Sequence, residues 1–371
     1  MAKKNFSDLK KGLAKIDLKF LAMVYILLTF GLVMVFSASS PMSYAANKHD
    51  SFYYLKKQLI WAVVGTIGLL AAVNIDYRQY KKWAVWGYGI NILLLLAVLV
   101  VGVDAKGAKR WLAIGTFTFQ PTEFSKIFMI IFYAWLLSET YKYIGKIKTL
   151  LVYGLFLGIV AALIMKQPHM SCTILIVTSV GIMLFVAGLK WSHIFFCLGA
   201  GGTAAFFLAM SSEYRRARML TFLNPFNDIR GDGWQIVQSL YAIGSGGIFG
   251  AGIGQSRQKY FNIPEPQNDF IFSIIAEELG LLGGILVILM FAYLIYRGIR
   301  IALNAPDMFG KLLVSGIVGL VAIQAVINIA VVTSTMPVTG MALPFFSYGG
   351  TALAVTLTEM GIVLNVSKQS E

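Results

Sequence analysis

The chain has 371 residues, of which 58% are hydrophobic and 13% charged, with a mean hydropathy of +0.74. A soluble domain carries about a quarter charged residues, so this composition excludes a soluble globular protein and indicates a polytopic helical membrane protein. The formal net charge of +14 is dispersed over many loops, which argues against nucleic-acid binding and for a topological role of the basic residues, in contact with anionic lipid headgroups.

The apolar runs are too long and continuous for barrel strands, which alternate over about 10 residues. In chain order they predict ten membrane-spanning helices, at about 18–39, 58–75, 83–103, 121–139, 149–166, 172–189, 192–210, 269–296, 312–334 and 348–366. Orientation follows from Lys and Arg in the short connections. Lys3, Lys4, Lys10, Lys11 and Lys15 precede the first span, Arg78, Lys81 and Lys82 follow the second, Lys142, Lys146 and Lys148 the fourth, and Arg297, Arg300 and Lys311 the eighth. An even number of spans puts all of them, with Lys368, on one side, which is cytoplasmic; an odd number would scatter them. The predicted organisation is an all-α integral membrane protein with both termini cytoplasmic. It has an N-terminal segment 1–17, one membrane domain 18–366 and a tail 367–371. A large extracytoplasmic loop, 211–267, lies between spans seven and eight. The basic start leads into a full-length first span rather than a cleavable signal peptide. Cys172 and Cys197 lie in apolar runs without metal-ligand spacing.

The outer segments carry the chemistry. The first, 104–120, contains Lys109, Arg110 and Trp111 and leads into Pro121-Thr122-Glu123-Phe124-Ser125-Lys126. Pro121 suits a first helical turn. Glu123 and Lys126, at i and i+3, read first as an ordinary helix-face pair, yet charges inside a span are functional suspects. In the large loop, Arg215, Arg216 and Arg218 could grip a pyrophosphate or simply meet anionic headgroups. Trp234–Ile243 has the spacing of a short amphipathic helix lying at the interface. The glycines from Gly244 to Gly254 fail the dinucleotide register and follow no predicted strand, so they read as a tight turn. Asp269 opens span eight where water meets lipid; Asn268 or Asp269 also suits a helix cap. Glu277 and Glu278 follow about 12–13 Å deeper and are costly there unless paired or facing a wet cavity, as in a proton-coupled transporter. Gln324 and Asn328 share one face of span nine and suit bonds across helices. Residues 336–351, with Pro337, Gly340, Pro344, Ser347 and Gly349, read as a cavity-lining turn.

Taken together, these motifs resemble the SEDS family (shape, elongation, division and sporulation), which includes FtsW, RodA and SpoVE, from about Asp17 to Val366. The resemblance rests on Gly107–Trp111 with Phe119–Glu123, Gln238-Ser239 with Gly250–Ser256, Pro264-Glu265 with Asp269–Phe272 and Glu277–Gly280, and Pro337–Gly340 with Pro344–Gly350. The region from Gly250 to Phe272 is most similar to the FtsW and SpoVE branches. The resemblance implies a ten-helix peptidoglycan glycosyltransferase of the bacterial cytoplasmic membrane. Such an enzyme polymerises lipid II into β-1,4-linked glycan strands, with Asp269 as its catalytic carboxylate. Glu123, Lys126, Lys109, Arg110, Arg215, Arg218, Gln258, Lys259 and Ser347 are the substrate-binding candidates. A divalent cation, Mg or Mn, is compatible with the pyrophosphate chemistry, and a class B penicillin-binding protein is the implied partner, with other division or elongation proteins. The alternatives are a lipid II flippase and a non-enzymatic scaffold. Two positions depart from the family pattern: Asn268 stands where Thr is usual, and Gln167-Pro168-His169-Met170-Ser171 lacks the usual Asp and Gly, so no site is assigned there and His169 reads as a solvated loop residue.

Overall fold

The computed structural model describes residues 16–46, 49–105, 108–114, 117–167, 169–190, 192–193, 199, 202–203, 210, 221–229, 231 and 233–370. The helices that build the fold are α1 (Leu18–Ala46), α2 (Tyr53–Asn74), α3 (Arg78–Val101), α4 (Pro121–Thr140), α5 (Ile147–Lys166), α6 (Met170–Val186), α7 (Trp234–Ser245), α8 (Ile271–Leu303), α9 (Met308–Val332) and α10 (Gly350–Gln369). The apolar runs become helices because backbone amides in a bilayer must bond within their own segment. Seven of them, α1, α2, α3, α5, α8, α9 and α10, are long and apolar enough to cross a membrane. α4 carries Glu123, Lys126 and Glu139, and α6 has 17 residues. The span expected at 192–210 lies largely outside the described residues.

The core sits on α9 and α10, where Leu312, Leu313, Val314, Ile317, Leu357, Val363 and Leu364 are fully buried. α10 packs against α2 through small residues, as helices in lipid commonly do. A Cβ at Gly361 would lie 2.4 Å from the Leu69 carbonyl oxygen, and one at Gly65 2.6 Å from Leu357 Cδ1. Asp307 caps α9 by accepting from the Gly310 N–H at 2.8 Å, and its other oxygen accepts from the Tyr77 hydroxyl at 2.7 Å. That bond ties the α2–α3 connection to the α8–α9 connection.

The segment between α3 and α4 forms a three-stranded antiparallel sheet, β1 (Val103–Ala105), β2 (Ala108–Ile114) and β3 (Phe117–Phe119), in the order β1-β2-β3. Val103 pairs with Trp111 and Leu112 with Phe119. These strands are three to seven residues long, too short for alternation to stand out beside the spans.

α8 is broken once, at Gly280, where φ is +67° and ψ −166°, a conformation open to glycine. The break removes the i→i−4 bonds from Leu281 to Glu277 and from Leu282 to Glu278. The glycine-rich turn after α7 restores all four partners. Leu281 and Leu282 donate to the Gly247 and Ile248 carbonyls at 2.9 and 3.2 Å, while Ala251 and Gly252 donate to the Glu277 and Glu278 carbonyls at 3.0 and 2.9 Å. Gly250 is required by contact, since a Cβ there would lie 2.2 Å from the Glu278 carbonyl oxygen.

α7 was expected to lie in the interface plane; instead it runs alongside α8. Ser239 Oγ meets Ser273 Oγ and the Val332 carbonyl, each at 2.8 Å. Eight residues later Gly247 reaches Leu281, so the two helices advance in the same direction at the same pitch. The amphipathic face predicted for α7 covers α8 and α9.

Candidate functional site

Asp269 sits one residue before the cap position of α8. The cap position is Phe270, and no side chain caps the helix there. Asp269 is half-buried in a connection stitched to the segment between α9 and α10. Its carbonyl accepts from Asn328 Nδ2 at 2.8 Å, and the same amide donates to the Met341 carbonyl at 2.6 Å. Ser347 Oγ donates to the Asn268 carbonyl at 2.7 Å and accepts from the Leu343 N–H at 2.7 Å. The Tyr348 N–H donates to the Gln267 carbonyl at 2.8 Å. The predicted cavity-lining turn is therefore a clamp on the Asp269 backbone. Its Gly340, at φ +70°, faces the carboxylate: a Cβ there would lie 3.4 Å from Asp269 Oδ2, an ordinary contact.

The neighbouring residue, Thr339, accepts through its carbonyl from Ser171 Oγ, which brings the start of α6 to the same place. Two residues earlier, His169 Nε2 lies 3.0 Å from Gln120 Nε2. Arg110 of β2 donates through Nε to the Gln167 carbonyl at 3.2 Å, and Gln167 donates to the Leu95 carbonyl at 3.1 Å. On α4, Lys126 is 4% exposed and its ammonium lies 2.6 Å from Glu123 Oε2. Glu359 of α10 is buried within electrostatic reach of both, and its Oε1 has no protein partner. Arg110, Glu123 and Lys126 all act electrostatically on His169. Burial, then the Arg110 charge, pushes that imidazole down from 6.5 to about 4, so it is neutral at neutral pH. The Asp269 carboxylate thus faces Gly340, and the adjoining Thr339 is joined through Ser171 to the start of α6, where His169 lies within electrostatic reach of Arg110, Glu123 and Lys126; these residues make up the candidate cleft.

Glu123, Lys126 and Arg110 come together around His169, and Asp269 is joined to that group through Gly340, Thr339 and Ser171. Ser347 serves the backbone clamp. Lys109 lies on β2, opposite Asp104. Arg215 and Arg218 lie outside the described residues. Lys259 does not reach the cleft: it is 2% exposed and its ammonium contacts Glu278 Oε1 at 2.8 Å and Ser37 Oγ at 3.2 Å. Beside it, the Gln258 N–H points at Glu277, 3.4 Å from Oε1 and 3.3 Å from Oε2. Glu277 also accepts from Ser256 Oγ and from the Arg257 N–H at 2.8 Å, and Glu278 accepts from Ser37 Oγ at 2.7 Å. Both acids are buried and bonded to the loop or to Ser37 of α1, the paired arrangement that the cost of burying them requires.

Two residues of the cleft escaped the sequence reading. His169 was read as solvated, whereas its Nδ1 is buried. Glu359 was passed over, although it is the one acid in the apolar run 350–366, and that isolation was the available signal. Among the described residues no three of His, Cys, Asp or Glu converge to hold a metal ion. Among the described residues Cys172 is a free, buried thiol. A cavity lined by Asp17, Arg297 and Arg300 lies at the other end of α8 and is separate from the cleft.

Comparison with known proteins places this geometry. The family profile FTSW_RODA_SPOVE, described as cell cycle protein, matches residues 18–371. Stage V sporulation protein E of Bacillus subtilis is 45% identical over 361 residues, covering 95% of this chain and 97% of that one. A probable peptidoglycan glycosyltransferase FtsW of Trichlorobacter lovleyi is also 45% identical, covering 96% and 94%. Among solved structures, the rod shape determining protein RodA of Thermus thermophilus superimposes with a TM-score of 0.72 at 28% identity, covering 96% and 97%. A chain of a peptidoglycan synthase complex that coordinates polymerization and crosslinking superimposes with a TM-score of 0.78 at 29% identity, covering 95% and 98%.

Proposed function

This chain belongs to the FtsW, RodA and SpoVE family of cell cycle proteins, and we propose from that premise that it is a peptidoglycan glycosyltransferase of the cytoplasmic membrane, acting in division or sporulation. Its substrate is lipid II, a disaccharide-peptide on a pyrophosphate-linked polyprenyl tail, and its product a β-1,4-linked glycan. The observation that supports this reading is the Asp269 carboxylate facing Gly340, in the segment that Ser171 joins to the start of α6, where His169 lies within electrostatic reach of the buried Lys126.

Asp269 takes the proton from the acceptor sugar's 4-hydroxyl as that oxygen attacks the donor anomeric carbon. The new bond joins the 4-oxygen to the anomeric carbon, and the bond from that carbon to the phosphate oxygen breaks. The donor linkage is α and the product β, so one in-line displacement accounts for the inversion without a covalent enzyme intermediate. A positioned base contributes about 10²–10⁴-fold. Negative charge builds on the leaving pyrophosphate, and preorganised cations stabilise it best where water is excluded. Lys126 and Arg110 would supply that charge, with Arg218 as a further candidate. Glu123 fixes the Lys126 ammonium. His169, being neutral, adds no competing charge and offers hydrogen bonds to the sugar. A class B penicillin-binding protein would crosslink the strands as they form.

The test supplies lipid II in detergent to the purified protein with its transpeptidase partner. In micelles there are no two sides to cross, so glycan chains require an enzyme. Polymer is the expected result. Its absence, with lipid II transport across vesicles intact, would overturn the reading in favour of a flippase.

A further inference from the structure

The stretch 233–256 contains no Asp, Glu, Lys or Arg and is bounded by Asp232 and Arg257. Twenty-four uncharged residues in the largest extracytoplasmic loop need a reason, and the site itself does not use them. They form α7, which descends along α8, and the glycine turn that patches the break at Gly280. The turn presents its side chains outward: Phe249 is 80% exposed, Ile253 60% and Ile248 59%. In water such a cluster of large apolar side chains is a liability.

α8 supplies a depth scale. Its inner end is marked by Arg297, paired with Asp17 just before α1, and by Arg300. Twenty helical residues rise about 30 Å, the thickness of the hydrocarbon layer, so the outer edge of that layer falls near Glu277. Ile248 is level with Leu282, to which its carbonyl is bonded, about 7 Å inside that edge. Below it on α8, Leu281, Leu282, Leu286 and Leu289 are all more than half exposed and form a lipid-facing band. The turn's side chains continue that band upward. Its polar backbone is not left bare, since Gly247, Ile248, Ala251 and Gly252 are bonded to α8, the condition under which irregular backbone is tolerated at this depth.

We propose that the Gly246–Gly254 turn is a membrane anchor, with Ile248, Phe249 and Ile253 inserted among the acyl chains of the outer leaflet. The anchor continues directly into Ser256–Lys259, which Glu277 and Glu278 clasp, and then into the connection that carries Asp269. It therefore sets the height of Asp269, about 12 Å above the hydrocarbon edge, at the level of a lipid-linked pyrophosphate. That last step rests on the function proposed above; the insertion itself does not.

The test is a depth measurement on the full chain in nanodiscs of phosphatidylglycerol and phosphatidylcholine, without a partner protein. Spin labels are placed by Phe249→Cys, Ile253→Cys and Arg257→Cys in a Cys197→Ser background, Cys172 being buried. The expected result is faster collision with oxygen than with a water-soluble nickel chelate at 249 and 253, and the reverse at 257. Nickel access at 249 and 253 equal to that at 257 would overturn the proposal, as would exclusion of both reagents, which would mean that protein covers the turn. The readout needs no catalysis, so a chain that makes no polymer would still report its depth. As a second measurement, Phe249→Glu should slow polymerisation in nanodiscs about tenfold and leave it unchanged in detergent, because a charge at an anchoring position weakens bilayer insertion alone. Equal rates in nanodiscs for that variant and the parent would also overturn it.

Discussion

Glu277 and Glu278 lie eight and nine residues beyond Asp269 along the same stretch of chain, yet the two regions are built in opposite ways. Around the pair, every carboxylate oxygen has a partner: Ser37, Ser256, Lys259 and the backbone N–H groups of 256–258. Around the cleft, buried polar atoms are left without protein partners, among them Thr122 Oγ1, His169 Nδ1, Asn268 Oδ1, Thr339 Oγ1 and Glu359 Oε1. Gln258 Oε1, beside the saturated pair, also lacks a protein partner, so the difference lies in the acids themselves: both oxygens of Glu277 and of Glu278 are bonded, while Glu359 Oε1 is not. Saturated acids such as these hold the chain in place.

The comparison can be broken from the saturated side first. Glu278→Ala leaves the Lys259 ammonium buried without its carboxylate, and removing one partner of such a pair costs about 3–5 kcal/mol. Thermal unfolding in detergent should show this as the largest loss of the series, and Lys259→Met combined with Glu278→Leu should recover most of it. An unchanged midpoint for the single variant would mean that the pair holds nothing. Gly280→Ala comes next. It forces a side chain into a left-handed position, 2.4 Å from the Gly250 nitrogen, at about 1–3 kcal/mol, again read as thermal stability.

The cleft should respond in activity instead. Glu359→Gln replaces a buried carboxyl group by an amide of the same shape, so stability should hold. Polymer synthesis should fall by less than about tenfold, or about 1.4 kcal/mol of barrier, because Glu123 still holds Lys126. A large stability loss would place Glu359 with the saturated acids. The smallest effect is a pH slope. His169 is held at about 4 against 6.5 in the unfolded chain, so between those values the unfolded chain binds more protons and stability rises with pH. The contribution is complete above 6.5 and is lost as pH falls toward 4. His169→Gln should flatten that part of the stability curve, and an unaltered slope would place the titration elsewhere.

Much of the fold was legible because a bilayer leaves the backbone few choices: apolar runs became helices, and Pro121 opened α4 as expected. The role of Gly280 was not legible. A glycine inside an apolar helix usually signals packing, and only the turn folded against it shows that it breaks the helix and gives up two bonds to its neighbour. The assignment of Lys259 to the substrate failed for a related reason: sequence gives a lysine in a polar loop, and only the tertiary arrangement shows Glu278 waiting beneath it. In the cleft, Glu123, Lys126 and Asp269 stood out as charges at the edges of apolar runs. His169 did not, because its burial comes from Gln120 and Arg110 about fifty residues away in the chain.

The measurement that bears most directly on the account is polymer synthesis from lipid II by purified Asp269→Ala protein, with its transpeptidase partner, alongside the parent chain. The variant should fold and bind the partner as the parent does and make no glycan chains. Chains produced at the parent rate would contradict the assignment of Asp269 as the base.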